Sequence, residues 1–300
     1  MYVALLVASL VVPSSVQATG LISAGRSFHL KVPLRHDPAA MVPLVILLHG
    51  FGADSTMQSL YFGLGDLAES KDFLFAYPDG TRILPGVAGL ALDGKMFWNA
   101  TDACCQIGPG TRVDDVAFIR GIIDAVMATT NQVDPNRIFV VGHSNGSFMT
   151  HRIACEEPRV AAIVTLSGAQ WADPVKNCPV PGGGKVSVLH LHGTKDVIIP
   201  YWGGVLDWIF GLASHPSAPR TVEIWQQRNG CGGLTTPYGS LDLDSSVWGP
   251  ETQQQKSGAC PAGIDVELWT MVDSGHIPVL KPPQFANTIF TWLSNHPKVH

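Results

Sequence analysis

The chain has 300 residues, of which 46% are hydrophobic and 14% charged, with a formal net charge of −5 and a pI near 6.1. That apolar share can fill a folded core, which excludes a disordered chain. The mildly acidic balance, without any block of like charge, excludes a nucleic-acid footprint.

Met1 to Val12 is an apolar run, and Val16-Gln17-Ala18 has the small-residue form of a leader cleavage site. The segment resembles a secretory signal peptide, with cleavage expected after Ala18 and residues 19–300 forming one secreted domain. About a dozen apolar residues are short for a bilayer span, and no later run is long enough, so no membrane partner is expected.

Six short apolar runs follow, at 44–48, 73–77, 138–141, 161–166, 186–191 and 266–272. Each stops at a turn sequence containing glycine, as strands buried on both faces of a parallel sheet do. Between them, Val116, Ile119, Ile122, Ile123 and Val126 recur at helical spacing behind Asp114 and Asp115. Acidic residues suit a helix N-terminus, and capping is the expected role of this pair. Phe285, Ile289, Trp292 and Leu293 repeat the helical pattern after Pro282-Pro283. Alternating strands and helices indicate an α/β fold with a mostly parallel central sheet flanked by helices.

Two stretches break the alternation. Residues 81–111 carry Trp98, Asn99 and Cys104-Cys105; residues 201–263 carry Trp202, Trp208, Trp225 and Trp248. Both are expected to be loop insertions over the active site; Trp98 and Trp202 are candidate substrate contacts, with packing under the insertions as the equal alternative. The six cysteines lack Cys-x-x-Cys spacing, so disulfides are expected and a metal is not. Fifteen connectivities are open; a bridge between Cys231 and Cys260 would contribute roughly 3–4 kcal/mol.

Gly142-His143-Ser144-Asn145-Gly146 fits Gly-x-Ser-x-Gly, behind a strand and ahead of the helix-like Ser147-Phe148-Met149. A strand turning abruptly into a helix exposes the serine and crowds its neighbours, and glycines two residues away relieve the crowding. A serine needs a base, and in this architecture the order is serine, acid, histidine. Asp196 follows the fifth run and His276 the sixth, so Ser144, Asp196 and His276 form the expected triad. Asp207 lies too far into the second insertion to prefer, and Asp273 reads as a turn residue. His190 and His192 alternate on one run and read as histidines that pack or hydrogen-bond near the site rather than as a metal pair; His49 and His143 read as structural neighbours of the turns. The N–H groups of Phe51 and Asn145 are the expected oxyanion donors.

Taken together, Leu48-His49-Gly50, Tyr77-Pro78-Asp79-Gly80, Trp98-Asn99, Cys104-Cys105 and Val113-Asp114-Asp115-Val116 appear in order. Gly142 to Gly146, Ala154-Cys155-Glu156, His192-Gly193-Thr194 with Asp196, and Asn229-Gly230-Cys231 follow. The chain resembles the polyhydroxybutyrate-depolymerase-like esterases, a group that includes feruloyl and acetylxylan esterases. The resemblance implies an α/β-hydrolase fold, secretion, no cofactor, and a triad falling on Ser144, Asp196 and His276. It departs from the feruloyl pattern after the histidine, where Ile277-Pro278 stands in place of a Trp-Pro pair. The expected function is a secreted serine esterase acting on a polyester or on esters decorating plant polysaccharide. An acyltransferase, a serine peptidase and a non-catalytic binding protein are the rival readings.

Overall fold

The computed structural model describes residues 15–23, 26–34, 37, 39–86, 92–105, 113–130, 132–171, 173, 178, 184–206 and 214–299. The chain opens with β1 (Ser15–Ser23), β2 (Arg26–Pro33) and β3 (Val42–Leu48), then α1 (Ser55–Phe62), α2 (Leu64–Lys71) and β4 (Leu74–Pro78). A small ribbon of β5 (Thr81–Arg82) and β6 (Met96–Phe97) precedes α3 (Asp115–Thr130), β7 (Val133–His143), α4 (Asn145–Glu156) and β8 (Val160–Leu166). Next come β9 (Ser187–Gly193), a second ribbon of β10 (Gly204–Val205) and β11 (Ser214–His215), and α5 (Ala218–Asn229). The chain closes with β12 (Gly239–Leu241), β13 (Thr252–Lys256), β14 (Val266–Met271) and α6 (Pro282–Ser294).

Ten strands form one sheet in the order β1-β2-β4-β3-β7-β8-β9-β14-β13-β12. The six apolar runs are its central strands, β4 through β14, and every pairing among them is parallel. Pairing turns antiparallel at both flanks. The expected cleavage after Ala18 falls inside β1, and residues 1–14 lie outside the described residues.

Alternation along each strand sends side chains to opposite faces. Leu44, Ile46 and Leu48 of β3 join one core with Ile119 and Ile123 of α3, Phe148 of α4 and Trp225 of α5. Val45 and Leu47 join the other with Phe62 of α1, Leu67 of α2 and Phe285 and Leu293 of α6. Helices therefore cover both faces, which is why the central strands read as continuous apolar runs. The chain runs from β3 to β4 on one side and later returns to β7 on the other. The helices after β3 and β7 leave toward opposite faces, which opens a crevice at their C-terminal ends.

Asp114 and Asp115 divide the expected work. Asp114 Oδ1 accepts the Ala117 N–H at 2.9 Å and caps α3. Asp115 is buried, takes the Arg26 guanidinium at 2.5 Å and accepts the Asn99 N–H at 2.7 Å, tying two loops to the helix. Disulfides join Cys104 to Cys105, Cys155 to Cys178 and Cys231 to Cys260.

Residues 201–263 are more than the expected loop insertion. They hold α5 and the β12–β13 hairpin, and Trp225 is a core residue under the sheet. The helix was signalled by Ser217 as N-cap, Pro219 in its first turn and Gly230 as C-cap.

Candidate active site

Ser144 sits at the turn from β7 into α4 with φ 54° and ψ −121°, a conformation that non-glycine residues rarely hold. Its N–H donates to Leu166 O at 2.9 Å, which ties the turn to β8. The flanking glycines are steric necessities. A Cβ on Gly142 would lie 2.3 Å from Gly146 O, and one on Gly146 would lie 2.3 Å from Leu48 O. Only bare backbone lets the elbow close against the end of β3.

The turn after β9 and the loop after β14 bring the partners in. His276 Nε2 lies 2.9 Å from Ser144 Oγ, and His276 Nδ1 lies 2.8 Å from Asp196 Oδ2. The three side chains, from positions 52 and 80 residues apart along the chain, thus form one connected line. Asp196 Oδ1 accepts the N–H groups of Ile198 at 2.9 Å and Ile199 at 2.8 Å, so its own turn fixes the carboxylate plane. Burial on its own would raise the Asp196 carboxyl; hydrogen bonds from His192 and His276 outweigh it and hold the group well below the ordinary carboxylate range. The Asp196 carboxyl is therefore ionised beside His276.

The loop carrying Phe51 stands against the serine: a methyl group on Gly50 would lie 3.2 Å from Ser144 Cβ. Trp98 Nε1 donates to His49 O at 2.9 Å, Gly50 N–H to Gln58 Oε1 at 3.2 Å and Gly52 N–H to Met96 O at 2.8 Å. Asn145 is the first residue of α4, so its N–H has no acceptor within the helix. Its side chain accepts the Trp98 N–H at 2.7 Å and donates to Trp98 O at 2.9 Å. One asparagine therefore locks the 96–105 segment to the elbow, a role the sequence did not suggest.

Residues 35–207 match the family described as Phospholipase/Carboxylesterase, over more than half of the chain. The chain belongs to this family. Among relatives of this carboxylesterase-family chain, a putative esterase of Nocardia uniformis is 28% identical over 54% of this chain and 42% of its own length. A bifunctional acetylxylan esterase/xylanase of Neocallimastix patriciarum is 26% identical over 83% of this chain and 33% of its own. The chain thus spans less than half the length of either relative. Feruloyl esterase D of Neurospora crassa is 25% identical over 88% of this chain and 78% of its own. The solved acetyl xylan esterase of Aspergillus awamori aligns over 94% of this chain and 99% of its own, with a TM-score of 0.63 at 14% identity, and shares the fold.

The remaining candidates of this family member fall as follows. His143 Nε2 donates to His276 O at 3.1 Å, and burial lowers it to about 3, so it braces the His276 loop as a neutral ring. His49 Nδ1 donates to Gly50 O at 2.8 Å while its Nε2 accepts the Gly80 N–H, again as a neutral ring; burial lowers it as well. Asp273 pairs with exposed Lys195 at 3.1 Å and is a turn residue, as expected. Asp207 lies outside the described residues. Trp98 is fully buried, which leaves it no surface for a substrate; it supports the site from beneath. Trp202 is exposed and packs edge-on against Tyr201 at 5.0 Å. Among the described residues no cluster of histidine, cysteine and carboxylate groups could hold a metal ion, and no helix is long and apolar enough to cross a membrane.

Proposed function

We propose that this chain is an exported serine carboxylic-ester hydrolase. His276 Nε2 takes the Ser144 hydroxyl proton as Oγ attacks the ester carbonyl, and the Phe51 and Asn145 N–H groups receive the oxyanion. His276 then protonates the departing alcohol, leaving an acyl-serine. Water, deprotonated by the same imidazole, releases the acid and restores the enzyme. The hydrogen-bonded line from Ser144 Oγ through His276 to Asp196 carries this reading.

The substrate class we propose is an acyl ester on plant polysaccharide, of the feruloyl or acetylxylan kind, in keeping with the names of the relatives. Esters of hydroxybutyrate oligomers form the comparison class. Export fits three disulfides, which persist in oxidising compartments. Leader cleavage after Ala18 would leave 19–23 to pair with β2. A turnover panel of methyl ferulate, acetylated xylan and hydroxybutyrate oligomers, run beside Ser144→Ala, tests both levels. A preference for the oligomers would overturn the polysaccharide-ester assignment, and activity retained by Ser144→Ala would overturn the mechanism.

A further inference from the structure

Behind the acid lies a row of buried histidines with no part in the triad. His192 of β9 places Nε2 2.8 Å from Ile199 O and 3.2 Å from Asp196 Oδ2. Both oxygens can only accept, so Nε2 carries the hydrogen and Nδ1 is the acceptor. That Nδ1 lies 3.4 Å from His190 Nε2, which must then be a donor. His190 Nδ1 is left to accept the Thr165 hydroxyl at 2.8 Å. Every hydrogen points the same way, from the middle of the sheet toward the triad carboxylate.

We propose that His192 is a positioning residue for Asp196, and that Thr165 and His190 fix its tautomer so that the Nε2 hydrogen is held between Ile199 O and the carboxylate. This rests on the triad reading above and deepens it. Oδ2 of Asp196 then accepts from His276 at 2.8 Å and lies 3.2 Å from His192 Nε2, whose hydrogen it shares with Ile199 O, while Oδ1 accepts from two backbone N–H groups. The carboxylate is anchored from its own turn, from β9 and from the β14 loop. The titratable groups facing this pair are His276 and His143 toward the serine, His190 behind, His215 alongside and the Tyr201 ring edge. His151 lies one ring further back, 5.6 Å from His190. Burial keeps His151 and His190 neutral, so the row works as a chain of dipoles.

The test compares His192→Phe, His192→Gln and Thr165→Val with the unaltered protein on a short p-nitrophenyl ester. Kinetics are measured across pH, together with thermal midpoints. His192→Phe fills the space without a donor. Its kcat is expected to fall about tenfold to a hundredfold with KM within about twofold, as for a misplaced catalytic group. The acid limb of the kcat/KM profile is expected to move up by roughly half a pH unit, because Asp196 then serves His276 alone. His192→Gln, which keeps an N–H, is expected to recover most of the rate and the original limb. Thr165→Val, nearly isosteric, is expected to lower kcat about threefold with the limb moving in the same direction. A folded His192→Phe enzyme with unchanged kcat and limb overturns the proposal, as does equal impairment of Phe and Gln variants with an unmoved limb. Should His192→Phe not fold, Thr165→Val decides alone, and an unchanged rate and limb overturn the proposal. Ser144→Ala in the same assay separates this failure from failure of the triad reading, since only the latter leaves that variant active.

Discussion

Replacing Asp196 with asparagine keeps the shape of the side chain and changes its polarity. The site dictates which way the amide must face. Oδ1 accepts two backbone N–H groups, from Ile198 and Ile199, so an NH2 group there would meet two donors. The amide oxygen must stay at that position, and the NH2 group then occupies the place of Oδ2, opposite His276 Nδ1. His276 can meet a donor only with a bare Nδ1, which moves its hydrogen to Nε2, 2.9 Å from Ser144 Oγ. The ring then cannot take the serine proton. In a serine protease the same change costs about 10⁴ in kcat by the same fault, equivalent to about 5.5 kcal/mol of transition-state stabilisation. Asp196→Asn is therefore expected to lower kcat on a p-nitrophenyl ester by about 10⁴ while the protein stays folded by circular dichroism. A folded variant within tenfold of the unaltered enzyme would refute the assigned geometry.

Three further outcomes follow from the structure. Burial, reinforced by His276, lowers His143 to about 3, and burial lowers His151 to about 3, against 6.5 for an ordinary histidine. Both take a proton near pH 6.5 only when unfolded, so stability is full above that pH and is lost as pH falls toward 3; at pH 5 each costs about 2 kcal/mol. The urea midpoint is expected to drop between pH 7 and pH 5, and a constant or rising midpoint contradicts the buried neutral rings. Gly146→Ala drives a methyl group into Leu48 O and His49 O, both backbone, and is expected to destabilise by about 2–3 kcal/mol and to lower activity; a normal thermal midpoint would show that the elbow has slack. Replacing Cys231 and Cys260 together by serine opens a loop of 29 residues' separation and is expected to cost about 3–4 kcal/mol in denaturant while leaving kcat at 25 °C unchanged.

The meeting of Ser144, Asp196 and His276 was legible because each follows an apolar run and a glycine-bearing turn. Burial on both faces makes those six strands stand out from their surroundings. The flanking strands carry weaker signals. β13 reads Thr-Gln-Gln-Gln-Lys, with no apolar residue at all, and is a strand only because β14 offers it an edge. In β2 only Phe28, Leu30 and Val32 alternate inward, too short a pattern to separate from a loop. Of the two roles open to Trp98 the structure shows packing, and the sequence could not choose: an aromatic residue in a glycine-rich segment gives no hint of which side of the loop it faces. The partners of the Asn145 and His192 side chains were not legible, because no local pattern encodes hydrogen bonds between separate turns and loops. His192 could have been suspected from its place in His-Gly-Thr-Lys-Asp, four residues before the acid.

Labelling with a serine-directed organophosphonate, followed by peptide mass analysis, tests the central claim most directly. Stoichiometric modification on Ser144 is expected, with loss of ester hydrolysis in step with labelling and no labelling of Ser144→Ala. Modification of another residue with activity lost, or full activity in Ser144→Ala, would contradict it.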